Sequence, residues 1–243
     1  MSGPAKKRSS PNHDVRRGAV DMIVLHYTGM EDCVSALDRL CDPAAKVSAH
    51  YLIDEDGVLY VLVDEDRRAW HAGVASWHGE TDINGCSIGI ELVNPGHEFG
   101  YRAFPEPQMH TLEQLCRDVM ERHDISAARV LGHADVAPGR KQDPGELFDW
   151  PRLAKQNLAV WPDPYPVGSN TLREGDANDD VLALQADLGA VGYGIVADGR
   201  YGPATAAVIT AFQRHYRPAL VDGVADPDTR AMLAGLVALF VDL

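Results

Sequence analysis

"DMIVLHYTG", Asp21 to Gly29, is the stretch on which the fold turns. Four apolar residues run together between an aspartate and a turn, too few for a buried helix and enough for a buried strand. His26 then stands near the strand's exit, where side chains from separate strands converge. "SIGIELV", Ser87 to Val93, alternates instead: Ile88, Ile90 and Leu92 face one way, Ser87, Gly89 and Glu91 the other. "AHYLIDEDGVLYVLV", Ala49 to Val63, predicts a hairpin with Asp56-Gly57 at its turn. In "TLEQLCRDVMERH", Thr111 to His123, residues Leu112, Leu115, Cys116, Val119 and Met120 share one helical stripe, which predicts a helix packed on the sheet. Strands and helices mixed in this way predict an α/β or α+β domain built on one central sheet.

Beyond that domain the character of the chain changes. "WPDPYPVGSN", Trp161 to Asn170, holds three prolines and a glycine and predicts a linker. The boundaries expected are a flexible 1–17, a first domain over 18–160, a linker over 161–171 and a helical module over 172–243. The module reads as three short helices joined by glycine-rich turns. A small repeat marks it: Asp198-Gly199 precedes Thr205 by the spacing with which Asp222-Gly223 precedes Thr229. Each "DG" suits a turn and each threonine a helix N-terminus. Because each part has its own apolar elements, the first domain is expected to fold without the module.

Composition excludes several classes of partner. A net charge of −14 over 243 residues argues against nucleic acid and against an anionic membrane surface. No apolar run reaches the roughly 18 residues of a membrane span. The start, "MSGPAKKRSSPNHDVRRG", is positive but lacks a hydrophobic core and a cleavage site, so a cytoplasmic location is expected, or a periplasmic or wall-associated one if a leader has been trimmed. Cys33, Cys41, Cys86 and Cys116 have no CxxC spacing and fit reduced, mostly buried thiols.

The candidate chemistry lies in "GHADVAPGRKQDPG", Gly132 to Gly145, taken with His26. His133 closes an apolar stretch, and Asp143 follows through a loop whose prolines and glycine can return its carboxylate to the imidazole. Two imidazoles and one carboxylate leave a fourth tetrahedral position open, the pattern of a catalytic zinc. Asp135 is the rival third ligand and otherwise an outer partner or loop cap. His13, His97, His110, His123 and His215 read as ordinary surface or core histidines.

"IVLHYTG", "SAHYLID", "AWHAG", "SIGIELVN" and "GHADVAPGRKQDPG", in that order, resemble the zinc-dependent N-acetylmuramoyl-L-alanine amidases of the type-2 family, its AmpD/AmiD branch most. The likeness covers roughly Val20 to Leu153. "LQADLGAVGYG", "DGRYGPAT" and "AVITAFQ" resemble a three-helix peptidoglycan-binding module. The resemblance implies a mixed central β-sheet flanked by helices and cleavage of the amide between N-acetylmuramic acid, or its 1,6-anhydro form, and L-alanine in muropeptides. It implies one Zn2+ per chain on His26, His133 and Asp143, with Glu91 and Lys141 catalytic. Glu91 would carry the proton from water to the leaving amine, and Lys141 would face the developing oxyanion. Substrate contacts are expected from His50, Trp70, His71, Asn84 and Arg140, although His50 also suits a structural place at the start of a strand and Trp70 the core. A non-catalytic peptidoglycan-recognition protein and a phage endolysin are the competing readings.

Overall fold

The computed structural model describes residues 5–241. Its strands in chain order are β1 (Lys6–Lys7), β2 (His13–Val15), β3 (Met22–Tyr27), β4 (Tyr51–Ile53), β5 (Leu59–Val61), β6 (Arg67–Ala69), β7 (Ser87–Leu92) and β8 (Val130–Gly132). Six of them form one sheet in the order β1-β5-β4-β7-β3-β8, and β2 pairs antiparallel with β6. Every pairing in the large sheet is parallel except β4 with β5. The sheet is therefore mixed, and the stretch first quoted is an interior strand of it, between β7 and β8. Met22 to Leu25 are fully buried, which is why the sequence there is continuously apolar: a strand covered on both faces of its sheet has no solvent side.

The exception is the hairpin at Asp56-Gly57. Gly57 has φ +84°, and a Cβ there would lie 2.7 Å from the Pro107 carbonyl oxygen, so both conformation and space require glycine. Pro107 belongs to the helix Glu106–His123, which buries Leu112, Leu115, Cys116 and Val119 and leaves Met120 on its flank. Gln108 fastens this helix to the sheet: its amide donates to the carbonyls of Ile53 (2.9 Å) and Val93 (3.0 Å). A second helix, Cys33–Cys41, is capped by Asp32, whose carboxylate accepts from the Ser35 N–H. Its Ala36, Leu37 and Leu40 pack on Leu52, Leu62 and Val93. Each leucine or valine among them, fully buried, contributes about 1.5–3 kcal/mol. The four cysteines are free thiols, but only Cys116 is buried and the other three are half-buried, less than the mostly buried set expected.

The chain divides into two compact units. One is Met1–Gly73, Asp82–His133 and Leu147–Val160; the other is Val74–Thr81, Ala134–Glu146 and Trp161–Leu243. Two segments that precede the Pro-rich stretch, 74–81 and 134–146, thus group with the helical tail. Within this second unit, Trp161 to Asn170 forms neither helix nor strand. It is laid along the last helix: Tyr165 N–H donates to Ala231 O (2.9 Å), and a Cβ on Gly235 would fall 2.0 Å from the Asp163 carbonyl oxygen.

The tail has the expected three helices, Asp179–Val191, Pro203–Tyr216 and Pro227–Val241. The repeated "DG…T" spacing has a physical cause that the sequence pattern did not show. In each copy a buried glutamine from the preceding helix closes the turn. Gln185 receives the N–H groups of Asp198 and Gly199 on its carbonyl and donates to Asp198, the Arg200 carbonyl and Thr205. Gln213 does the same for Asp222, Gly223, the Val224 carbonyl and Thr229. The glutamine lies 13 residues before the first "DG" and 9 before the second, which hides it from a search for equal spacing. Among the described residues no helix is long and apolar enough to cross a membrane.

Gln213 is fully buried, so Gln213→Leu leaves two turn amides without their acceptor. A loss of about 2–3 kcal/mol in unfolding free energy is expected, with a smaller loss for Thr229→Val. Urea denaturation of the two variants beside the parent measures both.

Candidate metal centre

His26 is the last residue but one of β3, and its register partner on β7 is Glu91. Register partners on adjacent strands point to the same face, so His26 and Glu91 stand side by side, with Gly89 and Ser87 behind Glu91 on β7. Gly89 has no side chain, and His71 occupies the space: a Cβ there would lie 2.4 Å from the His71 ring. The face that alternation assigned to Ser87, Gly89 and Glu91 is thus built to receive an imidazole.

Hydrogen bonds around that imidazole determine which ring nitrogens carry protons. Ser87 Oγ donates to the Ile83 carbonyl, so it accepts from His71 Nε2–H (3.2 Å). His71 Nδ1 then accepts from His26 Nε2–H (3.0 Å), which makes Nδ1 the lone-pair nitrogen of His26. On His133, Nε2–H donates to the Ala72 carbonyl (2.9 Å), and again Nδ1 carries the lone pair. The two Nδ1 atoms face each other at 2.9 Å. Lone pairs brought that close repel unless a cation or proton takes both. Asp143, also buried, completes a cluster whose three ligand atoms lie within 4.8 Å of one another. Two neutral imidazoles anchored through their outer N–H groups, with one carboxylate, fit a divalent transition metal with a position left open.

The other expected site residues fall into two groups. His71 and Asn84 support the histidines of the candidate metal cluster. Asn84 Oδ1 accepts from the N–H groups of His71 (3.0 Å) and Ala72 (2.7 Å), fixing the turn whose carbonyl holds His133. These bonds use Oδ1 alone; the amide nitrogen, the donor that a substrate carboxylate would need, takes no part in them. Of the two places expected for His50, cleft contact or a structural place at the start of a strand, its bonds fit the second. It is fully buried, its Nδ1 accepts from Gly89 N–H (2.9 Å), and its Nε2–H donates to the Arg67 carbonyl (3.1 Å), so neither nitrogen remains for a substrate. Trp70 is half-buried, with its indole N–H on Asp14 (2.8 Å). Burial pushes His50 down to about 3 and His71 well below the usual imidazole range, the latter with help from the neighbouring histidines. Both are neutral at physiological pH.

Arg140 and Lys141 lie on the Ala134–Glu146 segment. Arg140 donates through Nε and Nη2 to the Val74 carbonyl (3.0 and 2.7 Å), a tie within the protein. Lys141 is half-buried; its backbone N–H caps a turn on Ala137, and its ammonium makes no hydrogen bond or ion pair among the described residues. Asp135, the rival ligand, is turned to other partners: its Oδ1 accepts from Tyr193 O–H and its Oδ2 pairs with His215 Nδ1, each at 2.8 Å. His215 had read as ordinary. Only proximity in the fold, with no local signal in "FQRHY", links it to this loop.

A family model described as N-acetylmuramoyl-L-alanine amidase matches residues 16–146, and one for a peptidoglycan binding domain matches residues 177–233. The N-acetylmuramoyl-L-alanine amidase AmiD of Escherichia coli is 37% identical over 245 residues, 92% of this chain and 87% of that protein. The 1,6-anhydro-N-acetylmuramyl-L-alanine amidase AmpD of Salmonella typhimurium is 41% identical over 108 residues, 44% of this chain and 56% of that one. Among solved structures, E. coli AmiD in complex with the substrate anhydro-N-acetylmuramic acid-L-Ala-D-γ-Glu-L-Lys superposes with a TM-score of 0.78 at 34% identity, covering 93% of both chains. Pseudomonas aeruginosa AMPDH3 with an anhydromuramic pentapeptide gives 0.76 at 28% identity, covering 99% of this chain and 98% of that one.

His71→Leu removes the acceptor that fixes His26, and a loss of about 10–100-fold in divalent-metal affinity is expected, read by chelator competition. The His50 imidazole supplies a pH signature. Its folded pKa lies below the unfolded value, so acid protonates the unfolded chain first. Stability is then lost as pH falls from about 6.5 towards 3, by up to about 1.4 kcal/mol per pH unit from this group. Denaturation midpoints across that range should fall, and less steeply in His50→Gln.

Proposed function

Because the chain belongs to the N-acetylmuramoyl-L-alanine amidase family, we propose that it is a zinc enzyme that cleaves the amide between 1,6-anhydro-N-acetylmuramic acid and L-alanine in soluble muropeptides, in peptidoglycan recycling. The observation that carries the zinc assignment is the pair of His26 and His133 Nδ1 atoms facing each other at 2.9 Å beside Asp143. Imidazole and carboxylate donors suit zinc, whereas calcium and magnesium prefer oxygen alone. For the substrate, the support is the anhydro-muramyl ligand in the AmiD and AMPDH3 complexes.

Zinc, when bound, polarises a carbonyl and acidifies a water. The chain's own residues have the remaining work. His71 and the Ala72 carbonyl keep the two imidazoles in the tautomer that turns Nδ1 inward. Glu91, the neighbour of His26 on the sheet, takes a proton from the attacking water and returns it to the departing L-alanine nitrogen. The Lys141 ammonium offsets the negative charge that develops on the scissile oxygen, a contribution of about 3 kcal/mol when such a donor is well placed.

Mass spectrometry of products from an anhydro-muropeptide and from intact sacculus, run side by side, tests the reading: free L-Ala-peptide released from the small substrate is expected, and its absence overturns the assignment. Elemental analysis should find one zinc per chain, and verified zinc removal should abolish turnover. Glu91→Ala is expected to keep its zinc and lose about 10²–10⁴-fold in kcat. Lys141→Ala should lose about 10²-fold, also in kcat, because its charge matters once the oxyanion forms. Near-native kcat in either folded, zinc-loaded variant removes that residue from the mechanism.

A further inference from the structure

We infer that the helical tail is part of the catalytic apparatus, and that Tyr193 and His215 are positioning residues which hold the segment carrying Lys141 and Asp143 in shape through Asp135. The inference rests on the reading of His26, His133 and Asp143 as zinc ligands.

Asp135 is 1% exposed, and a carboxylate taken that far from water must be given donors. Two of them come from the tail, Tyr193 on one oxygen and His215 on the other. Burial, with the Asp135 charge, raises the Tyr193 phenol well above its ordinary value, so the phenol keeps its proton and donates it. Neither donor is loosely held. The His215 ring stacks on Tyr216 with centroids 3.8 Å apart and planes 5° from parallel, and the Tyr193 ring meets Trp77 edge-on at 4.9 Å.

The same unit is tied together on both sides of Lys141 and Asp143. Ser76 N–H donates to the Val136 carbonyl and His78 N–H to the Gly192 carbonyl, each at 2.8 Å. Gly192 is pressed against the Trp77 indole so closely that a Cβ would lie 2.5 Å from it. Further along, Arg214 of the tail donates to Gln142 (3.2 Å) and pairs with Glu146 (3.7 Å). Inside the segment, Ala134 N–H donates to the Asp143 carbonyl (2.9 Å), and Lys141 N–H to the Ala137 carbonyl (3.1 Å). Fixing 134–137 therefore fixes the backbone of 141 and 143. If the tail donors are lost, Asp135 must turn to water, and Ala134 and Asp143 move with it. A displacement of about 1 Å at a catalytic group can cost about 10²-fold in rate.

Tyr193→Phe and His215→Leu, made in the full-length chain, test this beside His215→Gln, whose amide restores a donor, and Thr229→Val, which removes a tail hydrogen bond remote from Asp135. Zinc affinity by chelator competition, kcat and KM on a small soluble anhydro-muropeptide, and hydrogen exchange of amides 134–143 in the zinc-free protein are read for each. Tyr193→Phe and His215→Leu are expected to bind zinc about 10-fold more weakly or worse, to lose kcat with little change in KM, and to exchange faster over 134–143. His215→Gln should recover part of the loss, and Thr229→Val should lower Tm alone. A tail that only tethers the enzyme to polymer leaves zinc affinity and small-substrate turnover at parental values in all four, and that result overturns the inference. Should His215→Leu not fold, Tyr193→Phe, which removes a single hydroxyl, decides. A parent that binds no stoichiometric zinc refutes the zinc reading itself, whatever the variants do.

Discussion

Two imidazole lone pairs, on His26 Nδ1 and His133 Nδ1, meet at 2.9 Å where both side chains are at most 2% exposed. Such an encounter is unfavourable by itself, and the surroundings are arranged to maintain it. Ser87, His71 and the Ala72 carbonyl consume the outer N–H groups, so the rings cannot relieve the repulsion by exchanging tautomers. Gly89 gives up its side chain to admit His71, and Asn84 holds the backbone of residues 71 and 72. The local structure is one in which a cation is the favourable partner for what the chain has brought together.

How much of this was legible follows from where each signal lives. Strands β3 and β7 were readable because burial on both faces, or alternation about one, leaves a mark within six residues. The hairpin was readable because Gly57 is the residue its φ demands. The mixed sheet and the family followed from five ordered blocks together. By contrast, polar groups in a motif such as Asn84 and His71 invite a cleft role, with a structural place equally open to His50; in the structure His50 and the Asn84 Oδ1 bond the backbone, and His71 bonds His26. Spacing along a chain does not report whether a side chain points into a cleft or away from it.

The tail shows the same limit more sharply. The "DG…T" repeat was visible, but the buried glutamine that makes each turn was not, because the two copies place it at unequal distances. The Pro-rich stretch at 161–170 suggested a tether between independent parts. In the structure its backbone lies on the last helix, and the compact unit that includes it also takes in 74–81 and 134–146. Proline prevents a helix from continuing; it does not keep the segment from being packed.

The rivalry between Asp135 and Asp143 shows why the tail matters to the chemistry. Asp135 lies in the short helix His133–Val136 and Asp143 in the loop beyond it, and the closeness of Asp135 to His133 in sequence already favours an outer role for it. An open zinc site needs one carboxylate; a second would fill the position required by water and substrate. The choice is made outside the loop. Tyr193 and His215 occupy the two oxygens of Asp135 and hold it within the tail's own unit, while Asp143 joins the histidine cluster. A buried carboxylate with hydrogen-bond donors on each oxygen is poorly available as a ligand, because leaving them would cost those bonds and strand the donors. On the zinc reading proposed above, the helical tail contributes to the selection of the third ligand, and its removal would change the metal centre as well as any hold on the cell wall.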